Sequence, residues 1–451
     1  MRKIIFILLV LLTVSFCEFR PSNDVILDLQ ILTQSVVAHI SSNNIIGQLF
    51  PTPSSQILSE TYKRRLFSPW HQPKPSTTSQ KIHAMTEKYT SSNWYAENKK
   101  PKNQMELNKL KTLSNIDNYP NNIQKAISIR NTNLRKLPTN KPQFHDFNIA
   151  GEGFPFDMLQ NSGIPINTPL LICHISSDKA WVYIESAFAA GWVPVSDIAY
   201  VDDFFQFNWQ RLTFYTPLTD DLNLIDTNGI YRGSSRIGSL IPKANNKLFI
   251  ISDIIDFFMP NNDYTDVLAV EADQNRQAYL VECKIQANKV KPWPIESTPA
   301  NIAMLADSLM GQAYGWGDLF GNRDCSSSLK DLFAAFGKWL PRNGNDQANS
   351  GKFISLNNLS DEEKLTLIRS EGIAMITLLW FRGHIMLYLG VNEFNTPLVF
   401  HNVWGMKVFS DTDEEGRLVI GKTVITTLEA AKERSDVKIN WLNRLEGMIL
   451  L

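Results

Sequence analysis

The stretch GNRDCSSSLKDLFAAFG, Gly321–Gly337, decides how the chain is read. Leu329, Leu332, Phe333 and Phe336 recur at helical spacing behind Cys325. Ser326 to Ser328 are capping residues and Gly337 is a stop, so the thiol is expected at or near the start of an apolar-faced helix. Unpaired backbone N–H groups at a helix start favour an anion, which lowers a thiol pKa from about 8.5 toward neutrality. A structural cysteine gains nothing from an aspartate and three serines beside it, whereas a nucleophile does. A nucleophile also needs a base.

Two further segments offer one. GIAMITLLWFRGHIMLYLG, Gly372–Gly390, reads as strand, tight Arg-Gly turn, strand, with His384 opening the second strand. Alternation puts His384, Met386 and Tyr388 on one face and Ile385, Leu387 and Leu389 on the other. TPLVFHNVWG, Thr396–Gly405, supplies a third strand carrying His401. With a turn centred on Asn392 and Glu393, His384 and His401 face each other directly, at the ~4.5–5.5 Å Cβ separation of opposed residues. His401 then orients the imidazole that takes the thiol proton. Zinc on Cys325, His384 and His401 is the competing reading; no further cysteine or closely spaced carboxylate completes a closed site, so no metal is expected.

The rest of the chain narrows the class. Its 451 residues carry 44 basic and 45 acidic side chains, with no basic stripe for nucleic acid and no acidic tail. MRKIIFILLVLLTVSFCEF, Met1–Phe19, has two basic residues, an apolar run from Ile4 to about Val14 and small residues before Glu18. That is a secretory signal peptide over 1–17, too short for a membrane span, and it implies an exported protein, periplasmic or extracellular. Lipoprotein anchoring through Cys17 is the alternative, and bulky Phe16 opposes it. No later segment reads as a stable membrane span. Of the cysteines left after cleavage, Cys173 and Cys283 lie in strand-like apolar contexts as buried small hydrophobes; an odd number leaves at least one free thiol.

Residues 18–144 read as a helical N-terminal region with long polar loops. NDVILDLQILTQSVVAHI (Asn23–Ile40) and NQMELNKLKTLSNI (Asn103–Ile116) carry the helical spacing. His39, His71 and His83 lack ligand spacing. From 145, TPLLICHIS, KAWVYIES and AGWVPVSDI follow at intervals of about ten residues, the rhythm of a small β-barrel. Two such barrels are expected, over 145–205 and 206–292. After the prolines of VKPWPIESTP, residues 293–451 place helices first and strands after, an α+β pattern.

Together, GQAYGWGDLFGNRDCSSSLKDLF, FRGHIMLYLG and LVFHNVWG resemble the NlpC/P60 family of papain-like cysteine peptidases, across most of 300–410. The β modules are similar to the bacterial SH3 domains that accompany a subgroup of that family, and the N-terminal part to its helical stabilising segment. The resemblance implies Cys325 as nucleophile, His384 as general base and His401 as its orienting residue. Asp324 and Ser326 match positions that line the cleft and bind the D-glutamate portion of a wall peptide. Tyr314 matches a tyrosine near the oxyanion site, and Trp316 a neighbouring aromatic wall. Capping by Asp324 and core packing by the two aromatics are the plain alternatives. Tyr183 and Glu185 are candidates for meeting the substrate amine.

The implied reaction is hydrolysis of the γ-D-glutamyl bond to the diamino acid in peptides with a free N-terminal L-alanine. Peptidoglycan-derived peptides are then the partners of a monomer without a cofactor. Two alternatives are an amidase with the same triad and a non-catalytic wall-binding protein. One departure stands out: Leu319 and Phe320 replace a Gly-rich spacing after GWGD.

Overall fold

The computed structural model describes residues 26–40, 48–50, 54–91, 93–244 and 263–451. The expected signal peptide and Cys17 lie outside them. Among the described residues no helix is long and apolar enough to cross a membrane.

Local signals explain the N-terminal helices. Ser79–Thr90 starts where Thr78 Oγ1 accepts the Lys81 N–H, and Gln104–Ser114 where Asn103 Oδ1 accepts the Met105 N–H. The second helix ends at Asn115, at φ +53°, the left-handed conformation asparagine tolerates. The two bury Ile82 and Leu107 respectively.

The first β module holds β1 (Gln124–Ser128), β2 (Thr132–Arg135), β3 (Gln160–Ile164), β4 (Pro169–Ile175), β5 (Trp181–Glu185), β6 (Ala190–Pro194) and β7 (Ile198–Tyr200). They form one seven-stranded sheet in the order β3-β2-β6-β5-β4-β1-β7. The sheet therefore begins upstream of the boundary expected at 145, because β1 pairs with both β4 and β7. The second module holds β8 (Phe214–Pro217), β9 (Leu222–Asp226), β10 (Tyr231–Ser235), β11 (Ile241–Pro242), β12 (Tyr264–Ala272), β13 (Ala278–Gln286) and β14 (Val290–Pro292). Its sheets run β10-β9-β13-β12 and β11-β8-β14. Among the described residues neither module closes its hydrogen bonding into a barrel. Cys173 and Cys283 are fully buried and unbridged within the two modules, as small hydrophobes.

The C-terminal part is α+β. Its sheet contains β15 (Lys352–Ser355), β16 (Thr377–Phe381), β17 (His384–Val391), β18 (Pro397–Phe409), β19 (Glu415–Thr427) and β20 (Gly447–Leu450). The order is β15-β20-β16-β17-β18-β19, which places β20 inside the sheet. Helix Cys325–Ala334 buries Leu329, Leu332 and Phe333 against Ile385, Leu387, Leu389 and Phe400. The other face, with Met386, Tyr388 and Val399, is covered by Ile368 and by Trp441 of the turn Trp441–Arg444. Residues 26–40 strap onto the same sheet. Asp28 Oδ2 accepts the Thr427 N–H and hydroxyl, at 2.6 and 2.8 Å, and Gln34 exchanges hydrogen bonds with the Ile425 backbone.

The hairpin bearing the two histidines differs from the expected register. Asn392 Oδ1 accepts the N–H groups of Phe394 and Thr396, so the turn is five residues long rather than two. Leu387 pairs with Phe400 and Tyr388 with Val399, before a bulge shifts Gly390 onto Leu398. Continued back, that register sets His401 across from Met386. His384 is its diagonal neighbour on the same face.

Candidate active site

Cys325 is the first residue of its helix, and Asp324 is the N-cap. The Ser327 N–H donates to Asp324 Oδ1 at 2.9 Å, and the Asp324 N–H donates to Ser327 Oγ at 2.9 Å. This capping box fixes the chain direction entering the helix. Cys325 itself is half-buried. Burial and, next to it, the Asp324 carboxylate push its thiol up to about 12, against the opposing pull of the Ile385 N–H, Arg342 and the Ser326 N–H. The expected lowering by the helix terminus is thus overturned. The N-cap carboxylate already occupies the positive end of the helix, and its charge repels a second anion one residue away.

The histidines form a relay. His384 Nε2 lies 2.8 Å from His401 Nδ1, and His401 Nε2 lies 3.1 Å from Thr426 Oγ1. Two proton arrangements satisfy this chain. In one, His401 donates to Thr426 and His384 donates to His401, which leaves His384 Nδ1 as a bare lone pair, the form a general base requires. Burial, then the positive charge of Arg444, lowers His384 to about 3. Burial, then His384, holds His401 well below the usual histidine value. At neutral pH the site therefore holds a thiol and two neutral imidazoles.

Cys325 and His384 are not hydrogen-bonded to each other. The sulfur meets the N–H of Ile385, one residue beyond His384, while His384 turns Nε2 to His401. Because the thiolate fraction of a thiol near 12 rises tenfold per pH unit below that value, alkylation of Cys325 by iodoacetamide should climb log-linearly from pH 6 to 9. Peptide mass spectrometry of timed reactions reads this; a plateau near neutrality would reveal a preformed thiolate instead.

Asp324 and Ser326 are drawn together, but inward. Asp324 accepts two hydrogen bonds from Arg342 (3.1 and 2.8 Å), one from the Ser326 hydroxyl (3.1 Å) and one from the Gly317 N–H (3.2 Å). Burial alone raises its pKa; the Arg342 charge and these donors outweigh it and hold the carboxyl below its usual range. Arg342 also donates to Ser326 Oγ and to Ser162 Oγ of the first β module. The two residues are 8% and 5% exposed and form a buried ion-pair frame under the helix start. Tyr314 packs against Trp404, 6.1 Å between centroids, and burial first, then the fields of Cys325 and Asp324, raises its phenol. Trp316 packs edge-on against Phe156, 5.3 Å between centroids.

Tyr183 and Glu185 are elsewhere. Glu185 accepts the N–H groups of Ser76 and Thr77 at 2.9 and 2.7 Å, and Tyr183 packs against Trp192 and Tyr119. Both face the N-terminal helices, so their candidacy for the substrate amine falls. Among the described residues no three His, Cys, Asp or Glu side chains are grouped as metal ligands.

Several residues at the site went unread in the sequence. Arg323 and Arg236 both pair with Asp331, whose side chain is fully buried, and Arg323 reaches Asp220 as well. This cluster ties the second β module to the helix carrying Cys325. Gly238, at φ +91°, permits the approach: a Cβ there would stand 2.6 Å from Asp331 Cα. Only the mixed charges of NRDCSSSLKD hinted at such pairing. Trp441 lies beyond the segments carrying the family motifs and gave no signal.

Comparison with known proteins agrees with this architecture. Residues 4–119 match the NLPC_P60 stabilising domain, N term, and residues 142–194 match an SH3 domain of SH3b1 type. A solved NlpC/P60 endopeptidase of Photobacterium damselae subsp. piscicida superposes with a TM-score of 0.82 at 26% identity, covering 93% of this chain and 97% of that one. The chain thus carries an NlpC/P60 stabilising domain and an SH3b1-type domain, and it shares the fold of an NlpC/P60 endopeptidase. Among curated proteins it is 30% identical over 96 residues to the Gamma-D-glutamyl-L-lysine dipeptidyl-peptidase of Bacillus subtilis (strain 168). That match spans 21% of this chain and 30% of the Bacillus protein. The family's SH3b1 match opens at 142, yet the sheet it falls in is completed by β1 and β2 from upstream.

Proposed function

We propose that this NlpC/P60 chain is an exported cysteine peptidase that hydrolyses the γ-D-glutamyl bond to the diamino acid in bacterial wall peptides. The observation that carries the reading is the 2.8 Å contact of His384 Nε2 with His401, which keeps Nδ1 as the ring nitrogen left to serve a thiol at a helix start. The printed activity of the Bacillus relative supports the choice of bond.

Cys325 Sγ attacks the γ-carbonyl carbon while His384 Nδ1 takes the thiol proton, so sulfur need not carry full charge before the bond forms. His401 keeps its hydrogen bond to Nε2 as the imidazolium appears. The Tyr314 hydroxyl is assigned as a donor to the oxyanion. Collapse breaks the C–N bond and His384 returns the proton to the leaving amine, giving a thioester. Water then attacks the thioester, its proton passing to His384 and on to sulfur, which releases the γ-carboxyl product and restores the thiol.

Incubation with L-Ala-γ-D-Glu-diamino acid peptides, free or N-acetylated, followed by mass spectrometry tests this. Release of L-Ala-D-Glu from the free-amine peptide alone is expected. Cleavage of both peptides keeps the peptidase and removes the amine requirement. Cleavage only at N-acetylmuramoyl–L-alanine, or binding without turnover, overturns the proposal in favour of an amidase or a wall-binding protein.

A further inference from the structure

The candidate base is walled by an indole from a part of the chain that carries no family motif. Trp441 lies 5.7 Å from His384, centroid to centroid, with the rings 30° apart, and 5.7 Å from His401 at 87°. Phe381 completes a triangle of rings, stacked on Trp441 at 6.2 Å and tilted against His384 at 5.5 Å. Trp441 is 2% exposed, and its Nε1–H is buried without a hydrogen-bond partner. A residue kept only to fill space does not need that orphaned donor, since phenylalanine or leucine would fill it without one. What the indole supplies beyond an aliphatic filler is a large π-face, the strongest of the aromatic side chains for a cation within about 6 Å of the ring centroid.

We propose that Trp441 is a positioning residue for the reaction: it clamps His384 with Nε2 toward His401 and Nδ1 free, and its π-face stabilises the imidazolium formed as the thiol proton arrives. The inference rests on the cysteine-peptidase reading above. Its logic is a difference between two states. A buried imidazole is costly to charge, and the nearby Arg444 guanidinium, itself set over the Phe381 ring at 4.1 Å, opposes the charge further. The carboxylate of Glu446 accepts the Arg382 N–H at the β16–β17 turn, so no anion is shown bonded to His384 to offset this. Of the two aromatic faces in contact with His384, Trp441 lies nearer to parallel, at 30° against 45° for Phe381, and such a face favours the charged form only once the charge exists. Such an interaction raises kcat and leaves substrate binding alone. The clamp also depends on β20, which anchors the Trp441–Arg444 turn to the sheet three residues later.

Full-length Trp441→Phe and Trp441→Leu, both apolar and able to occupy the site, are compared with wild type for kcat, KM and the imidazole 15N spectrum. Trp441→Leu is expected to lose about tenfold to thirtyfold in kcat, the worth of a desolvated cation–π contact, with KM unchanged. Its His384 should show a mixture of tautomers where wild type shows the Nε2–H form. Trp441→Phe should recover most of kcat and the single tautomer. Wild-type kcat and a single tautomer in Trp441→Leu would overturn the proposal. So would an equal loss in both variants with KM rising, which marks a packing role. If wild type itself turns over no wall peptide, the proposed function fails, and the 15N spectra still decide whether Trp441 orients the pair.

Discussion

Replacing Cys325 by alanine is expected to lower kcat/KM for a wall peptide by roughly 10⁴-fold or more. In the proposed mechanism the thiol forms the covalent intermediate, and with it gone only binding and oxyanion contacts would remain to act on the bond. His384→Ala should fall to nearly the same level, and Cys325→Ala/His384→Ala no lower, because nucleophile and base act as one unit. His401→Ala should cost less, on the order of 10²-fold, since it removes the orienting contact at 2.8 Å and leaves the base. Product analysis over long incubation resolves these levels. Turnover above 1% of wild type in Cys325→Ala would place the nucleophile elsewhere.

Asp331→Ala should destabilise the fold by about 3–5 kcal/mol, the usual penalty for stripping one partner from a buried ion pair. Its carboxylate, fully buried, sits between Arg323, Arg236 and Lys330, and removal leaves Arg323 with Asp220 as its remaining ion-pair partner, beside neutral acceptors on Gln312 and Ile237. Against a total stability of about 5–15 kcal/mol, that is enough to shift the thermal midpoint strongly. The pH dependence follows from the same charges. Burial alone raises the Asp331 pKa, but Lys330, Arg236 and Arg323 drive it far below the carboxylate range. A depressed folded pKa contributes stability that is present above the unfolded value of about 3.9 and is lost as pH falls through the folded one. The lock should therefore hold through mildly acidic conditions. Denaturant titration of Asp331→Ala beside Lys330→Ala, whose ammonium is nearer the rim, checks this; a loss under about 1 kcal/mol for Asp331→Ala would show the cluster to be dispensable.

Cys325, His384 and His401 were legible because each sits on a short-range pattern: a capped apolar helix and two alternating strands. The pairing of the histidines was legible only to a face, not to a register. Turn length depends on the side-chain hydrogen bonds of Asn392, and the bulge near Gly390 leaves no mark in alternation. Thiol acidity was misjudged for a related reason. The helix start is a local feature, whereas the enclosure of Cys325 and the field of Asp324 depend on Arg342 and the sheet that gather around them. The α+β character of the chain followed from the order of patterns. That β1 and β2 belong to the first β module did not, since four- and five-residue strands acquire meaning only from the partners they find.

The strap of residues 26–40 changes what connectivity means in this protein. Its contacts with Thr427 and Ile425 join positions 399 and 391 apart in sequence, so the unit bearing Cys325 begins before either β module and resumes after both. Topologically the modules are a long closed loop inserted into that unit, pinned at its stem by the strap on one side and helix Pro299–Asp307 on the other. A single backbone cut within the loop would divide the polypeptide without dividing the particle, because each fragment stays docked on the sheet they share.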